Sequence, residues 1–578
     1  VLPRIRLSGP FSHIVRFGPV TAEGLFAAVW SAIPFAALIL ATGIVVAMVD
    51  LRSLVFLIPR ITWGRATFVA FVIALSTLPT LVESARKTQY FAKVRGISKR
   101  RVLFVPFLEK TLERAVGIAK ALHARGVVVH RDPVAVAEPE TVVRFEDFSI
   151  PSRGVSEISW TVPNHSLILL TGETGAGKTS VMEALAGVLD YPHPVPTTGR
   201  VTGTGGHPTV GYVPHDPRSL FLAGSVVDEV ALGLVMQGVA RREAHHRVEQ
   251  ELAQWGLTHL SDRHPGEISE GEAVLVGILS ALVLSPTLVL LDEPLAVLDR
   301  SRREQVVDAL AEYSRVSGAT VLMTDHGHVS SSRWPGSIVQ LGSTGITSGA
   351  FVALTEDLPA RSAVSRPEAD VVFQVENLEA SKGQRVILSG LDLEIRRAES
   401  VVVVGDNGVG KTTLLKEVVA RSDSNPLRIA YVPTNPADMF VRETLAEELA
   451  FTDRELGLPE GFTNATLESL LPGQWRTEVL ERSHFTHPRD LSRGQQTAVA
   501  IALQLSHKPA VLALDEPTRG LDLGAKAALA EVLACVQETG TAIISASHDD
   551  DFVAGQHDHL LRLVGGTLIL LEGGVLHA

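Results

Sequence analysis

The stretch His487–Asp522, HPRDLSRGQQTAVAIALQLSHKPAVLALDEPTRGLD, decides how the rest of the chain reads. Its tetrad Ser492-Arg493-Gly494-Gln495 is set to open a helix, whose first backbone N–H groups are free to meet an anion. An apolar run, Val511 to Leu514, then delivers Asp515 and Glu516 at a strand end. An aspartate there can hold Mg²⁺, and the neighbouring glutamate can polarise a water. The arrangement occurs twice: Ser269 precedes Asp292 by 23 residues, as Ser492 precedes Asp515. Equal internal spacing predicts a duplicated nucleotide machine.

Upstream of each copy lies a glycine-rich turn between a strand-like run and a helix. After Leu167 to Leu170 comes Gly172-Glu173-Thr174-Gly175-Ala176-Gly177-Lys178-Thr179-Ser180. After Val401 to Val404 comes Gly405-Asp406-Asn407-Gly408-Val409-Gly410-Lys411-Thr412-Thr413. Glycines let backbone amides approach phosphates, Lys178 or Lys411 reaches the β- and γ-oxygens, and Thr179 or Thr412 offers Mg²⁺ a hydroxyl. The strands Leu288 to Leu291 and Val511 to Leu514 bring Asp292 and Asp515 as metal ligands, and Glu293 and Glu516 as bases orienting the attacking water. The strands Val321 to Thr324 and Ala542 to Ala546 end near His326 and His548, which lie 34 and 33 residues past their aspartates. That repeated placement predicts a γ-phosphate contact. ATP and Mg²⁺ are the expected cofactors.

The formal net charge of -12 is unevenly spread: residues 1–130 hold 17 Lys/Arg against 5 Asp/Glu, and the remainder 35 against 59. A basic head on an acidic body suggests mutual docking, or a head facing anionic lipid. No nucleic-acid partner is expected. The single cysteine, Cys535, excludes an internal disulfide and reads as a helix residue without chemistry.

The head is also the apolar part. Residues 24–49 form an uncharged run of 26, which as a helix reaches about 39 Å and could cross a hydrocarbon core of about 30 Å. Residues 66–82 form a second uncharged run, of 17. A signal peptide and a buried soluble helix pair are weaker accounts than membrane spans. The cluster Arg86 to Arg101 puts the following end on the cytoplasmic side, although Arg52, Arg60 and Arg65 between the two runs fit that rule poorly. Next, 107–125 is predicted to be an amphipathic helix with Leu108, Leu112, Ala115, Ala119 and Leu122 on one face. It ends in Ala124-Arg125-Gly126, as the preceding helix ends in Val94-Arg95-Gly96. Two such endings predict two arms, one for each ATPase, with Arg95 and Arg125 as coupling residues.

With these motifs in place, residues 140–578 resemble the ATP-binding cassette family. Ser269-Glu270-Gly271-Glu272 and Ser492-Arg493-Gly494-Gln495 match its signature motif, Asp299 and Asp522 its D-loop, and His326 and His548 its switch histidine. EDFSIPSRG, GYVPHDPRSLFLAGSVVDEVALG and DEPTRGLD look most like the ATPases of energy-coupling factor transporters. Residues 14–126, opening on RFGPVTAEGL, resemble the later part of that system's transmembrane coupling subunit, with Val94 in place of the usual Ala. The resemblance implies an α/β fold, two phosphate-loop ATPase domains in tandem behind an α-helical membrane segment. The expected domains are a partial coupling domain at 1–133, cassettes at 138–350 and 371–578, and a linker at 351–370. It implies an importer of a vitamin or metal ion at the cell membrane, with its ATPases on the cytoplasmic side. A separate membrane protein would capture the substrate, and further coupling helices would come from another chain or from upstream sequence.

In this family each ATP sits between one cassette's phosphate loop and the other's signature. Lys178, Glu293 and His326 would then borrow Ser492, Arg493 and Gly494, an apt phosphate-facing set; Lys411, Glu516 and His548 would borrow Ser269, Glu270 and Gly271. Glu270 stands where the family has glycine. At about 4 Å from phosphate its repulsion is about 1 kcal/mol in water and about 4 kcal/mol at a dielectric near 20, and it vanishes if the side chain turns to solvent. On that ground the second site is expected to be the weaker hydrolyser. The Q-loop glutamine is replaced by His215 and Thr434, and Ile150–Pro151 and Ser381–Lys382 offer adenine no aromatic. Two alternatives stay open: a non-catalytic scaffold, raised by these departures, and a soluble twin-cassette translation-type ATPase, opposed by the short linker and apolar head.

Overall fold

The computed structural model describes residues 85–95 and 97, parts of 108–120, and most of 141–571. The uncharged runs 24–49 and 66–82, Arg125, and linker residues 351–368 lie outside the described residues. Among the described residues no helix is long and apolar enough to cross a membrane.

A helix at 85–94 (α1) and helical turns within 108–120 (α2) precede the first cassette. That cassette runs β1 (Thr141–Ile150), β2 (Val155–Pro163), β3 (Leu167–Thr171), α3 (Lys178–Leu185), β4 (Thr198–Gly203), β5 (Val210–Val213), α4 (Val226–Met236), α5 (Arg241–Gln254), α6 (Glu270–Leu282), β6 (Leu288–Leu291), α7 (Arg300–Ser317), β7 (Thr320–Thr324), β8 (Ser337–Gly342) and β9 (Gly345–Ser348). The second runs β10 (Val371–Lys382), β11 (Arg385–Arg396), β12 (Ser400–Val404), α8 (Lys411–Ala420), β13 (Ile429–Val432), α9 (Leu445–Leu456), α10 (Phe462–Leu470), α11 (Gly473–Glu481), α12 (Arg493–Leu505), β14 (Val511–Asp515), α13 (Leu523–Glu538), β15 (Ala542–Ala546), β16 (His559–Val564) and β17 (Thr567–Leu570). These are two tandem α/β phosphate-loop ATPase domains, and every strand expected from the apolar runs is present.

Each cassette is built on a six-stranded sheet, ordered β5-β6-β7-β3-β8-β9 in the first and β13-β14-β15-β12-β16-β17 in the second. The inner strands are parallel and covered on both faces, so they read as unbroken apolar runs rather than alternating ones. Leu288 to Leu291 are wholly buried, each contributing about 1.5–3 kcal/mol by leaving water. Leu170 faces Thr324 and Leu291 faces Met323, so β3, β6 and β7 end at one edge. Ligand chemistry in open α/β sheets gathers at such carboxyl ends. Helices α4 and α9 start from matching caps: Ser225 accepts from the Asp228 N–H and Thr444 from the Glu447 N–H.

The two arms dock crosswise relative to chain order. In α1, Phe91 enters the core of the second cassette and lies parallel to Tyr431, ring centroids 6.5 Å apart. In α2, Ile118 enters the core of the first cassette, while Lys120 pairs with Glu183 on α3. The expected apolar stripe on α2 is corrected here. Leu108 and Leu112 are 47% and 58% exposed and Ile118 only 1%. Ala115 is exposed as well, so among the described residues the buried side of this helix is the one carrying Ile118 and not the predicted stripe. Gly117 enables that approach: a Cβ there would lie 3.2 Å from the Ser219 carbonyl oxygen.

Candidate active site

The two phosphate loops take the same shape. Gly172, Gly175 and Gly177 have φ of 152°, 88° and 93°, and Gly405, Gly408 and Gly410 have 156°, 81° and 117°. A Cβ on Gly177 would meet Val155 Cγ2 at 2.2 Å, and one on Gly410 would meet Ile387 Cγ2 at 2.5 Å. Glycine is thus required both for the backbone turn and for close packing on β2 or β11. Ala176, Ser180, Asp406, Val409 and Thr413 lie in the loops or the first helical turn; Glu173, Thr174 and Asn407 fall outside the described residues. Lys178 Nζ donates to the Gly172 carbonyl at 2.7 Å, and Lys411 Nζ to that of Gly405 at 2.6 Å. Burial pulls the Lys178 ammonium below its usual value, opposed by Glu293, Asp522 and Asp292.

The acidic pair sits at the end of β6 and β14. Thr324 Oγ donates to Asp292 Oδ1 at 2.8 Å and accepts from the Glu293 N–H at 2.8 Å. Asp292 Oδ2 is buried and lacks a hydrogen-bond partner among the described residues. Asp515 is held by the Thr412 hydroxyl at 3.0 Å and the Tyr431 phenol at 3.1 Å. Burial raises both aspartates above the usual carboxylate range. A buried carboxylate with an open oxygen beside a phosphate-loop threonine is a hard-oxygen donor set. It fits Mg²⁺, which takes one or two protein carboxylates and leaves room for substrate phosphates.

Glu293 and Glu516 have φ of 52° and 49°, a left-handed conformation that a non-glycine residue adopts only under constraint. The strain recurs at the same position in both cassettes, at the residue expected to orient water. His215 Nδ1 stands 3.5 Å from Glu293 Oε2, and Lys411 Nζ 3.6 Å from Glu516 Oε1. Thr434 lies close enough to Asp515 to favour its charged form, so the shorter Q-loop side chain stays beside the metal ligand of its own cassette. His326 and His548 lie outside the described residues, as does Asp299. Ile150 is fully buried and so withdrawn from any adenine contact.

Both signature tetrads open their helices with a complete capping box: Ser269 with Glu272 on α6, Ser492 with Gln495 on α12. Two expectations change here. Gln495 spends its side chain on the Ser492 N–H and on Glu478, which makes it a helix cap rather than a nucleotide contact. Arg493 does not project as a phosphate-facing group: its guanidinium donates to Asn435 Oδ1 at 2.8 Å and to the Thr434 carbonyl. Burial and the nearby Arg519 push it down to about 10. Gly494 is needed because a Cβ would lie 2.7 Å from Trp475, and a Cβ on Gly271 would lie 3.2 Å from Leu298.

Contacts across the cassettes come from residues 519–522 of the second cassette. Asp522, which caps α13 by accepting from the Ala525 N–H at 2.7 Å, lies close enough to Lys178 of the first cassette to favour its charge. Glu270 is not left as an unpaired charge: its side chain is 47% exposed, and Arg519 donates to both of its carboxylate oxygens. That removes the premise on which the second site was expected to be weaker. Arg519 was not picked out from sequence alone. Thr324 and Tyr431 were also missed, though a tyrosine at the second position of both GYVP and AYVP was a readable signal.

The arm residue Arg95 is 4% exposed. It donates to the Met439 carbonyl and Glu448 Oε1, each at 2.6 Å, and to Thr452 Oγ at 3.0 Å. Glu448, fully buried, also accepts the Val441 and Arg442 N–H groups at 2.6 and 2.8 Å.

The sequence profile described as ABC transporter matches residues 155–296 and 388–519. A putative ABC transporter ATP-binding protein of Streptomyces avermitilis is 30% identical over 530 residues, covering 74% of this chain and 93% of that protein. The putative HMP/thiamine import ATP-binding protein YkoD of Bacillus subtilis is 24% identical, covering 70% of this chain and 86% of its own length. Among solved structures, a model of ribosome-bound archaeal Pelota and ABCE1 aligns with TM-score 0.49 at 20% identity, over 71% of this chain and 74% of that one. At that level the structural likeness carries no argument about function.

Proposed function

Because the chain belongs to the ABC transporter family and carries two of its ATP-hydrolysing cassettes, we propose that it is the energising component of an energy-coupling factor type importer for a vitamin or metal ion. In this reading residues 1–133 are a partial coupling domain at the cell membrane, and the cassettes at 138–350 and 371–578 work on its cytoplasmic side, joined by the linker 351–370. A separate membrane protein captures the substrate.

In each site Lys178 or Lys411 holds the β- and γ-phosphates, and Thr179 with Asp292, or Thr412 with Asp515, would hold Mg²⁺. Bound there, the ion neutralises charge on the phosphate oxygens. Glu293 and Glu516, fixed by their strained backbone, accept a hydrogen bond from the attacking water and align it with the γ-phosphorus. His326 and His548 steady the γ-phosphate, and Asp299 and Asp522 link each site to the opposite cassette. Ser269 with Gly271, and Ser492 with Gly494, complete the opposite sites through the backbone of their helix starts.

The observation that carries the coupling reading is Arg95, buried at the end of α1 against Met439, Glu448 and Thr452 of the second cassette. Any closing of that cassette drags α1 with it. In this reading Arg125, which lies outside the described residues, is the coupling residue toward the first cassette. Native mass spectrometry of the complex extracted from membranes tests the proposal, with a small hydrophobic companion carrying ligand as the expected result. A chain that purifies from the soluble fraction, alone and without lipid, would sink it.

A further inference from the structure

The bond between Glu270 and Arg519 joins residues 249 apart, one in each cassette. Both guanidinium nitrogens engage both carboxylate oxygens, the fork-to-fork geometry that gives a charge pair its best alignment. Arg519 is 14% exposed at its side chain and lies three residues past Glu516, its N–H hydrogen-bonded to the Glu516 carbonyl. The charge of Glu270 is therefore anchored at the acidic loop of the second cassette.

Among the described residues the other signature has no such pair. Its residue equivalent to Glu270 is Arg493, turned onto its own Q-loop at Thr434 and Asn435 and near enough to Arg519 and Glu270 to feel both charges. The position of Arg519 is taken by Ala296, which is buried and uncharged. Among the described residues, the charge on the Glu270 signature is thus matched by an opposite charge on the facing cassette, and the equivalent positions Arg493 and Ala296 form no such pair.

We propose that Glu270 and Arg519 form a one-sided clasp, a positioning pair that seats the first cassette's signature helix on the second cassette while holding the Glu270 carboxylate away from the triphosphate bound by Lys411. The proposal rests on the paired-cassette reading above. Its signature is an inverted dependence: Arg519 matters only because Glu270 is present. Removing the arginine frees a carboxylate beside four phosphate charges, whereas removing both leaves an ordinary neutral signature.

Photoaffinity labelling of the full chain in detergent with magnesium azido-ATP, resolved by mass spectrometry into the peptides of each cassette, tests this. Arg519→Ala raises the half-labelling concentration of the second cassette about tenfold, the size of one unscreened charge near phosphate, and leaves the first within about twofold. Glu270→Gln with Arg519→Ala recovers most of the loss. Arg519→Lys, which keeps the charge without the fork, shifts labelling less than Arg519→Ala. Raising salt to about 1 M, where screening acts within about 3 Å, narrows the difference. An equal shift in both cassettes, no shift at all, or a double variant as impaired as Arg519→Ala would overturn the clasp. A parent chain labelled at neither cassette would instead overturn the ATP-site reading on which it stands.

Discussion

At the residue scale, Gly410 shows how local sequence fixes chemistry. A side chain there must adopt a φ of 117° and place Cβ 2.5 Å from Ile387. Gly410→Ala should cost about 1–3 kcal/mol in the bound loop and weaken Mg-ATP binding at the second cassette at least about tenfold, measurable by equilibrium binding. Asp549 gives a pH test. Burial would raise its carboxyl, but Lys526, 2.8 Å away, together with the Phe552 N–H and Thr518, brings it below the ordinary value. A depressed carboxylate contributes stability above its unfolded value near about 3.9, and loses it as pH falls through the folded value. Asp549→Asn should therefore lower Tm clearly at pH 7, while the gap to the parent closes below about pH 4. The phosphate loops and acidic pairs were legible because a loop and its helix are contiguous in sequence. Arg519 was not, since its partner lies 249 residues away and a single sequence states no partner.

The element scale is governed by what each helix buries. Arg95 closes α1 in a pocket where Glu448 has no exposure at all. Arg95→Ala leaves that carboxylate without its cation, at a cost of about 3–5 kcal/mol in docking. The expected readout is rapid proteolytic cutting within 85–97 while the cassettes stay intact. A protease pattern identical to the parent would show that the pair does not hold the arm. The end of α1 could be read from its Arg-Gly pattern, while the expected end of α2 at Arg125 lies outside the described residues. The buried face of α2 could not: periodicity marks an apolar stripe, but Leu108, Leu112 and Ala115 are exposed while Ile118 meets the cassette core.

For the whole molecule, the matched strand orders of the two sheets put equivalent groups at equivalent places, and the remaining differences lie at the interface. With Glu270 neutralised by Arg519, no charge argument separates the two sites. Glu293→Gln and Glu516→Gln should reduce steady-state ATPase to within about threefold of each other, a difference of about 0.6 kcal/mol. A tenfold disparity would mean that His215, 3.5 Å from Glu293, or Thr434 at the other site sets the rate. The duplication itself was plain from spacing, because strand, loop and helix must recur at fixed intervals to rebuild one sheet. How the halves face each other was not, since that depends on side chains far apart in the chain.

The crosswise docking of the arms has a consequence for biosynthesis. Arg95 and Glu448 are separated by 353 residues, so α1 leaves the ribosome long before its seat exists. At about 5–20 residues per second, roughly 20 to 70 seconds pass in which Phe91 and Arg95 have nothing to dock on. A message cut short ahead of the second cassette would release a chain with that greasy arm bare, a natural target for chaperones and quality-control proteases.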